Sequence, residues 1–194
     1  AIQRIDEVKT LRAFELPEDA GRMAHPIRPD GYVEMNNFYR HTVYIKGAEV
    51  IRMLETIVGK ATFNQGVRHY LKKHDGQAAT CEDFVIAMEE VSGKDLTQFR
   101  FWYSQAGTPE LDVHGQYLPD TRQFILEIDQ SCPATPGQSL KELFYIPLRV
   151  ALIDDSGNLV TISSSEADAT IDVSGDGKEA VVMVSKAHHR LVFD

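Results

Sequence analysis

The chain has 194 residues, of which 43% are hydrophobic and 25% charged, the balance of a soluble globular protein rather than a disordered or fibrous one. Its formal net charge of −9 argues against a nucleic-acid partner, because phosphate-binding surfaces cluster Lys and Arg. No apolar run approaches the ~20 residues of a membrane-spanning helix, so no membrane partner is expected. Residues 1–107 contain 14 Lys and Arg and 15 Asp and Glu, whereas residues 108–194 contain 6 and 14. This asymmetry suggests two units.

Four amphipathic helices are predicted between residues 45 and 107. The first ends at Gly59, a residue suited to the C-terminal cap of a helix. The third begins at Thr80, whose hydroxyl can cap it while Asp83 reaches back in a capping box, and it runs to Gly93. The second is centred on Phe63–Leu71, and the fourth begins at Asp95 and stops before Thr108-Pro109. A shorter helix is predicted from Met35 to Tyr39.

Beyond Gly107 the apolar period changes from helical to alternating. Phe124, Leu126 and Ile128 alternate with polar neighbours, which indicates a strand with one buried face. Further strands are predicted at Phe144–Ile153, Leu159–Ile162 and Ala180–Val184. Short strands separated by turn-rich breaks are typical of an antiparallel β-sandwich. The sequence therefore predicts a helical unit over residues 1–107 and a β-sandwich over residues 108–194.

Ligand sets for metals are missing from the sequence. No HExxH pair occurs and no two His residues are four apart, so the usual zincin site cannot be built from this chain. The adjacent His188 and His189 should point to opposite sides of a strand and lie at the surface. Asp172–Gly177 matches half of a calcium loop, but Met183 occupies the position of the bidentate Glu, which favours a hairpin turn.

The two cysteines, Cys81 and Cys132, form no CxxC motif, so neither a disulfide framework nor a cysteine-based zinc site is indicated. Reduced thiols mildly favour a reducing compartment. We therefore expect a cytoplasmic location.

The segment from Glu34 to Tyr39, followed by Thr42–Met53, closely resembles the gluzincin aminopeptidases of family M1, in the bacterial aminopeptidase N branch. The similarity extends over residues 10 to 115. It implies an α+β multidomain fold, in which the C-terminal helical subdomain of a thermolysin-like catalytic domain (1–107) precedes an Ig-like β-sandwich (108–194). In that family the HExxH motif and a third ligand, Glu, come before this region. The resemblance thus implies zinc in a full-length parent, none bound by this chain, and an inactive isolated chain.

The resemblance also implies a reaction and three site residues. In the family, zinc and a general-base Glu deliver water to the carbonyl of a peptide's N-terminal residue, and a tyrosine donates a hydrogen bond to the oxyanion. Tyr44 matches that tyrosine, although periodicity alone would favour an aromatic packed at a helix start. Asn36 and Tyr39 match residues bordering the pocket for the substrate's first side chain. A peptide substrate and the remainder of the parent catalytic domain are the partners implied.

Two other functions are compatible with the sequence. The chain could belong to a non-catalytic relative, in which the same fold is an assembly scaffold. Alternatively, residues 108–194 could be an independent binding module, as their acidic excess suggests. If the chain is instead a fragment of the aminopeptidase, we expect exposure of apolar helix surface that the missing catalytic half normally covers, which favours self-association.

Overall fold

The computed structural model describes residues 2–31, 34, 36 and 40–194. The chain forms two compact units. The first covers Ala1–Thr108 and Ala134–Leu140, and the second covers Pro109–Pro133 and Lys141–Asp194. The segment between Ala134 and Leu140 belongs to the first unit although it lies beyond the end of its helices. Within the described residues, no helix is long and apolar enough to cross a membrane.

The first unit is helical and begins with one continuous segment. Helix α1 (Ile2–Thr10), a π-helix (Leu11–Glu15) and α2 (Leu16–Asp19) follow without a break, because the junction residues keep helical backbone angles. A second continuous segment joins the π-helix Thr42–Lys46 to α3 (Gly47–Val58). The remaining helices are α4 (Lys60–His74), α5 (Cys81–Ser92), a 3-10 turn (Gln98–Arg100) and α6 (Phe101–Ser104).

The predicted helix caps are confirmed. Gly59 ends α3 with a φ of 82°, and Gly93 ends α5 in the left-handed region that glycine tolerates. Thr80 and Asp83 form the reciprocal hydrogen bonds of a capping box at the start of α5. These local signals define where the predicted helices begin and end.

The fourth predicted helix is wrong in extent. Asp95 does not start it, because its Oδ1 accepts a hydrogen bond from Thr97 N at 2.8 Å and forms a turn instead. Only the 3-10 turn Gln98–Arg100 and the four residues of α6 are helical. Of the helix predicted from Met35 to Tyr39, only Asn36 is described; the rest lies outside the described residues.

The core of the helical unit is built from α3, α5 and the segment around α6. Helix α4 packs closely on α5 at Gly66, where a Cβ would overlap the sulfur of Met88. Arg100 then links α5 to the 3-10 turn, since its guanidinium donates two hydrogen bonds of 2.8 Å to the Glu89 carboxylate. The most deeply buried apolar residues are Val50, Leu54, Ile57, Val85, Met88, Leu96 and Phe99.

The second unit contains seven strands: β1 (Glu110–Leu118), β2 (Gln123–Ser131), β3 (Ile146–Val150), β4 (Ser164–Ala167), β5 (Thr170–Val173), β6 (Ala180–Val184) and β7 (His188–Phe193). They form a four-stranded sheet in the order β1-β2-β7-β4 and a three-stranded sheet in the order β3-β6-β5. Every pairing is antiparallel. Side chains of both sheets share one apolar core, which includes Leu126, Ile128, Val182, Val184, Leu191 and Phe193. The predicted fold class, helices followed by an antiparallel sandwich, is confirmed.

The strand predicted at Leu159–Ile162 is wrong. Val160 N donates to Leu152 O and Ile162 N donates to Gly177 O, so the backbone makes scattered hydrogen bonds rather than a ladder. Ile162 is buried in the core with 4% of its surface exposed. The alternating pattern therefore reflects one anchored side chain in an irregular segment.

Candidate functional site

Tyr44 lies in the middle of the π-helix Thr42–Lys46. Thr42 is fully buried and Lys46 is 5% exposed, whereas Tyr44 is 57% exposed. Residues four apart share one helix face, so Thr42 and Lys46 point inward while the residue midway between them points outward. π-helical turns insert an extra residue into a helix and are frequent at functional sites. This turn therefore presents the Tyr44 ring at the surface from a backbone anchored on both sides.

The inward-pointing Lys46 enters a buried polar network centred on Asp19. Lys46 Nζ donates to Asp19 Oδ2 at 2.6 Å and to Gly107 O at 2.9 Å. The same carboxylate accepts from Gly107 N at 3.0 Å and from Thr108 Oγ1 at 2.6 Å. Asp19 is fully buried, and these three donors satisfy its charge. The network thus ties together α2, the turn carrying Tyr44 and the chain at Gly107.

Glu15 supports the other end of the same turn. Its Oε2 accepts a hydrogen bond of 3.3 Å from Thr42 Oγ1, while its Oε1 is buried without a partner among the described residues. Burial raises the pKa of the Glu15 carboxyl, and the negative charge of Asp19 raises that pKa further. Lys46 and Thr42 act in the opposite direction without reversing the shift. The neutral form of Glu15 is therefore favoured relative to an exposed glutamate.

The other two predicted site residues cannot be assembled around Tyr44. Asn36 is exposed, and Tyr39 lies outside the described residues. The substrate pocket bordered by Asn36 and Tyr39 stays a prediction.

The described residues do not form a metal centre. No three His, Cys, Asp or Glu side chains in this part of the chain are grouped as ligands. Asp176 accepts hydrogen bonds from Ser174 and Lys178 within its own turn.

The two adjacent histidines of β7 point to opposite sides of the strand. His188 is exposed, and its Nδ1 lies 2.9 Å from Asp129 Oδ1. The surface position predicted for His189 is wrong, because His189 is fully buried. Its ring hydrogen-bonds Ser185 N and Lys186 N through Nε2 and Asp168 through Nδ1. These bonds supply the partners that let a polar ring replace an apolar one in the core.

Comparison with known proteins gives the family. Residues 4–103 match the Peptidase family M1 domain. The chain belongs to peptidase family M1. Residues 107–194 match a domain of unknown function, DUF3458, with an Ig-like fold. The resemblance found in the sequence is thereby confirmed.

Individual relatives agree with the family match. The chain is 46% identical to aminopeptidase N of Escherichia coli K12 over 194 residues, which are 100% of this chain and 21% of that protein. It is 53% identical to aminopeptidase N of Haemophilus influenzae over 157 residues, 81% of this chain and 18% of that protein. The crystal structure of Legionella pneumophila aminopeptidase A in complex with aspartic acid superimposes with a TM-score of 0.70 and 27% identity, covering 90% of this chain and 18% of that one. The chain thus spans about a fifth of the length of its relatives.

The role of Tyr44 stays a prediction, and the sequence analysis missed the polar network beneath this residue. Glu15 and Asp19 are four residues apart, as are Thr42 and Lys46, so each pair lies on one helix face. That spacing is a readable signal for two facing polar surfaces. It does not distinguish a solvated helix face from a buried one.

Proposed function

We propose that this chain is an internal part of a zinc-dependent aminopeptidase that hydrolyses N-terminal residues from peptides. The observation that carries the proposal is Tyr44, a largely exposed phenol on an anchored π-helical turn within the region that matches family M1. The names of the relatives, aminopeptidase N and aminopeptidase A, support the reaction class. The Ig-like sandwich would be a scaffold domain of the same protein.

The proposed role of Tyr44 is to stabilise the transition state of peptide hydrolysis. When water adds to the scissile carbonyl, its oxygen becomes an oxyanion. A tyrosine phenol is a neutral hydrogen-bond donor, so it can stabilise that charge without neutralising a catalytic base. One such donor is typically worth about 2.7–4 kcal/mol, or 10²- to 10³-fold in kcat. Asn36 and Tyr39 are proposed to border the pocket for the first side chain of the substrate.

Zinc is proposed as the cofactor of the full-length protein, where it would act as the Lewis acid of the reaction. The sequence contains no HExxH motif, so the zinc ligands are proposed to lie in another part of that protein. We therefore propose that the isolated chain neither hydrolyses aminoacyl-p-nitroanilides nor retains zinc after dialysis. Turnover above a purified blank, with one tightly held zinc per chain, would contradict this part of the proposal.

The role of Tyr44 is tested by Tyr44→Phe in the full-length protein. We expect kcat to fall by about 10²- to 10³-fold with little change in KM, because the hydrogen bond forms mainly in the transition state. The matched variant Tyr39→Phe should act mainly on KM and side-chain preference. Zinc content and thermal stability are measured in parallel. Retention of more than about half of wild-type kcat by Tyr44→Phe would refute the oxyanion role.

The remaining expectations concern location and association. Cys81 and Cys132 form no disulfide, and the cytoplasmic location that reduced thiols favour stays a prediction. Several large apolar side chains near the start of the chain are exposed, namely Ile2, Ile5, Phe14 and Met23. Such surface favours burial against the rest of the proposed catalytic domain and, in the isolated chain, self-association. A clean monomer in sedimentation at high concentration would contradict the latter.

A further inference from the structure

We infer that Lys46 and Asp19 are positioning residues for Tyr44: their buried ion pair fixes the π-helical turn from which the phenol is presented. The inference rests on the proposed role of Tyr44 in catalysis and adds the part of the chain that sets its geometry. It concerns residues that do not touch substrate and act only through the tyrosine.

The first support is geometric. Lys46 is two residues from Tyr44 and Thr42 is two residues before it, and both are buried while Tyr44 is 57% exposed. Lys46 Nζ is fixed by Asp19 Oδ2 at 2.6 Å and Gly107 O at 2.9 Å. Thr42 Oγ1 is fixed by Glu15 Oε2 at 3.3 Å. Because the residues two positions before and after Tyr44 are both held in this way, the backbone at Tyr44 has little freedom to shift along or around the helix axis.

The second support is the rigidity of the anchor itself. Asp19 accepts three hydrogen bonds, because Gly107 N and Thr108 Oγ1 donate to it in addition to Lys46 Nζ. Gly107 is therefore held through both its N–H and its carbonyl. The turn carrying Tyr44 is thus linked to two other segments of the same unit, rather than to one flexible side chain.

The third support is energetic. Buried ion pairs seldom stabilise a fold more than well-packed apolar residues of the same volume, because desolvating the two charges offsets their attraction. A network that also buries Glu15 with an unpartnered Oε1 is poorly suited to stability alone. Its directional hydrogen bonds do, however, specify one conformation of the π-helical turn. Catalytic groups require that kind of placement, since a shift of 1 Å can lower the rate about 10²-fold.

The test is a double-mutant cycle in the full-length protein, combining Lys46→Met with Tyr44→Phe. Methionine keeps the length of the lysine stem but removes the ammonium. We expect Lys46→Met alone to lower kcat by about 10- to 100-fold with less than about a threefold change in KM. In the Tyr44→Phe background the same substitution should lower kcat less than about twofold, because the group it positions is already gone.

The matched control is Glu89→Gln, which weakens the ion pair with Arg100 in the same unit. It should lower thermal stability without any dependence on Tyr44. If Lys46→Met fails to fold, Thr42→Val replaces it, since valine keeps the volume and removes only the bond to Glu15; it should show the same pattern with a smaller loss.

Each outcome of the cycle decides between the two proposals. Equal losses of kcat in both backgrounds, or unchanged kcat in Lys46→Met and Thr42→Val, would overturn the positioning role and leave the proposed function intact. Wild-type kcat in Tyr44→Phe would instead refute the proposed oxyanion role of Tyr44, on which this inference rests.

Discussion

Replacing each of the two adjacent histidines in β7 should have unequal effects on stability, large for His189 and small for His188. His189 is fully buried, and its Nε2 accepts hydrogen bonds from Ser185 N at 2.9 Å and Lys186 N at 3.0 Å. The single ring proton must then lie on Nδ1, 3.0 Å from Asp168 Oδ1. His189→Leu removes the acceptor of these two N–H groups and one donor to Asp168, whose carboxylate keeps the hydrogen bond from Arg190 N. Because an unsatisfied buried polar group costs about 1–3 kcal/mol and these two N–H groups are only partly buried, we expect a total loss of about 1–3 kcal/mol.

The two units require separate readouts in this experiment. The only tryptophan of the sequence, Trp102, is buried in the helical unit, so its fluorescence reports the unfolding of that unit. Hydrogen exchange of the β7 amides reports the sandwich. His189→Leu should accelerate exchange in β7 and leave the fluorescence midpoint in urea unchanged.

Two matched variants complete this test. His189→Gln should recover part of the stability, because its Oε1 can replace Nε2 as acceptor. His188→Ala should change stability by less than about 1 kcal/mol, since its pair with Asp129 is half exposed. Equal effects of His189→Leu and His188→Ala would refute this reasoning.

Two further predictions concern the helical unit, both measured as the urea midpoint of Trp102 fluorescence. The folded-state pKa of Glu15 is raised, so its stabilising contribution is complete below the ordinary value of about 4.3 and is lost as pH rises through the raised value. Glu15→Gln should therefore gain stability over wild type as pH rises from 4.5 to 8, and an advantage independent of pH would contradict the shift. Thr80→Ala removes the side-chain acceptor of the capping box at α5 and should lower stability by about 1 kcal/mol. Its control is Thr56→Ala, which removes only a hydrogen bond to Arg52 O within α3 and should show a smaller change.

The elements predicted best from the sequence are those whose ends depend on neighbouring residues. Gly59, Thr80 and Gly93 mark helix termini through backbone conformation or a side-chain cap, and the structure places the termini there. The π-helices were not predicted, because an i to i+5 hydrogen bond leaves no distinct apolar period. The strand predicted at Leu159–Ile162 does not form. The apolar pattern there reflects the burial of Ile162 alone, and the segment does not pair with a neighbouring strand.

The polar network under Tyr44 shows why the candidate site was only partly predictable. Glu15 and Asp19 are four residues apart on one helical segment, where two carboxylates repel each other and weaken an exposed helix. Taken alone, that spacing is a local conflict between sequence and structure. It is relieved when Lys46, 27 residues further along the chain, donates to Asp19 and burial favours the neutral form of Glu15. Conflicts of this kind are expected where function sets the geometry. Two like charges at a spacing that destabilises their own helix therefore indicate that another segment compensates them. In this chain that segment is the turn that carries Tyr44.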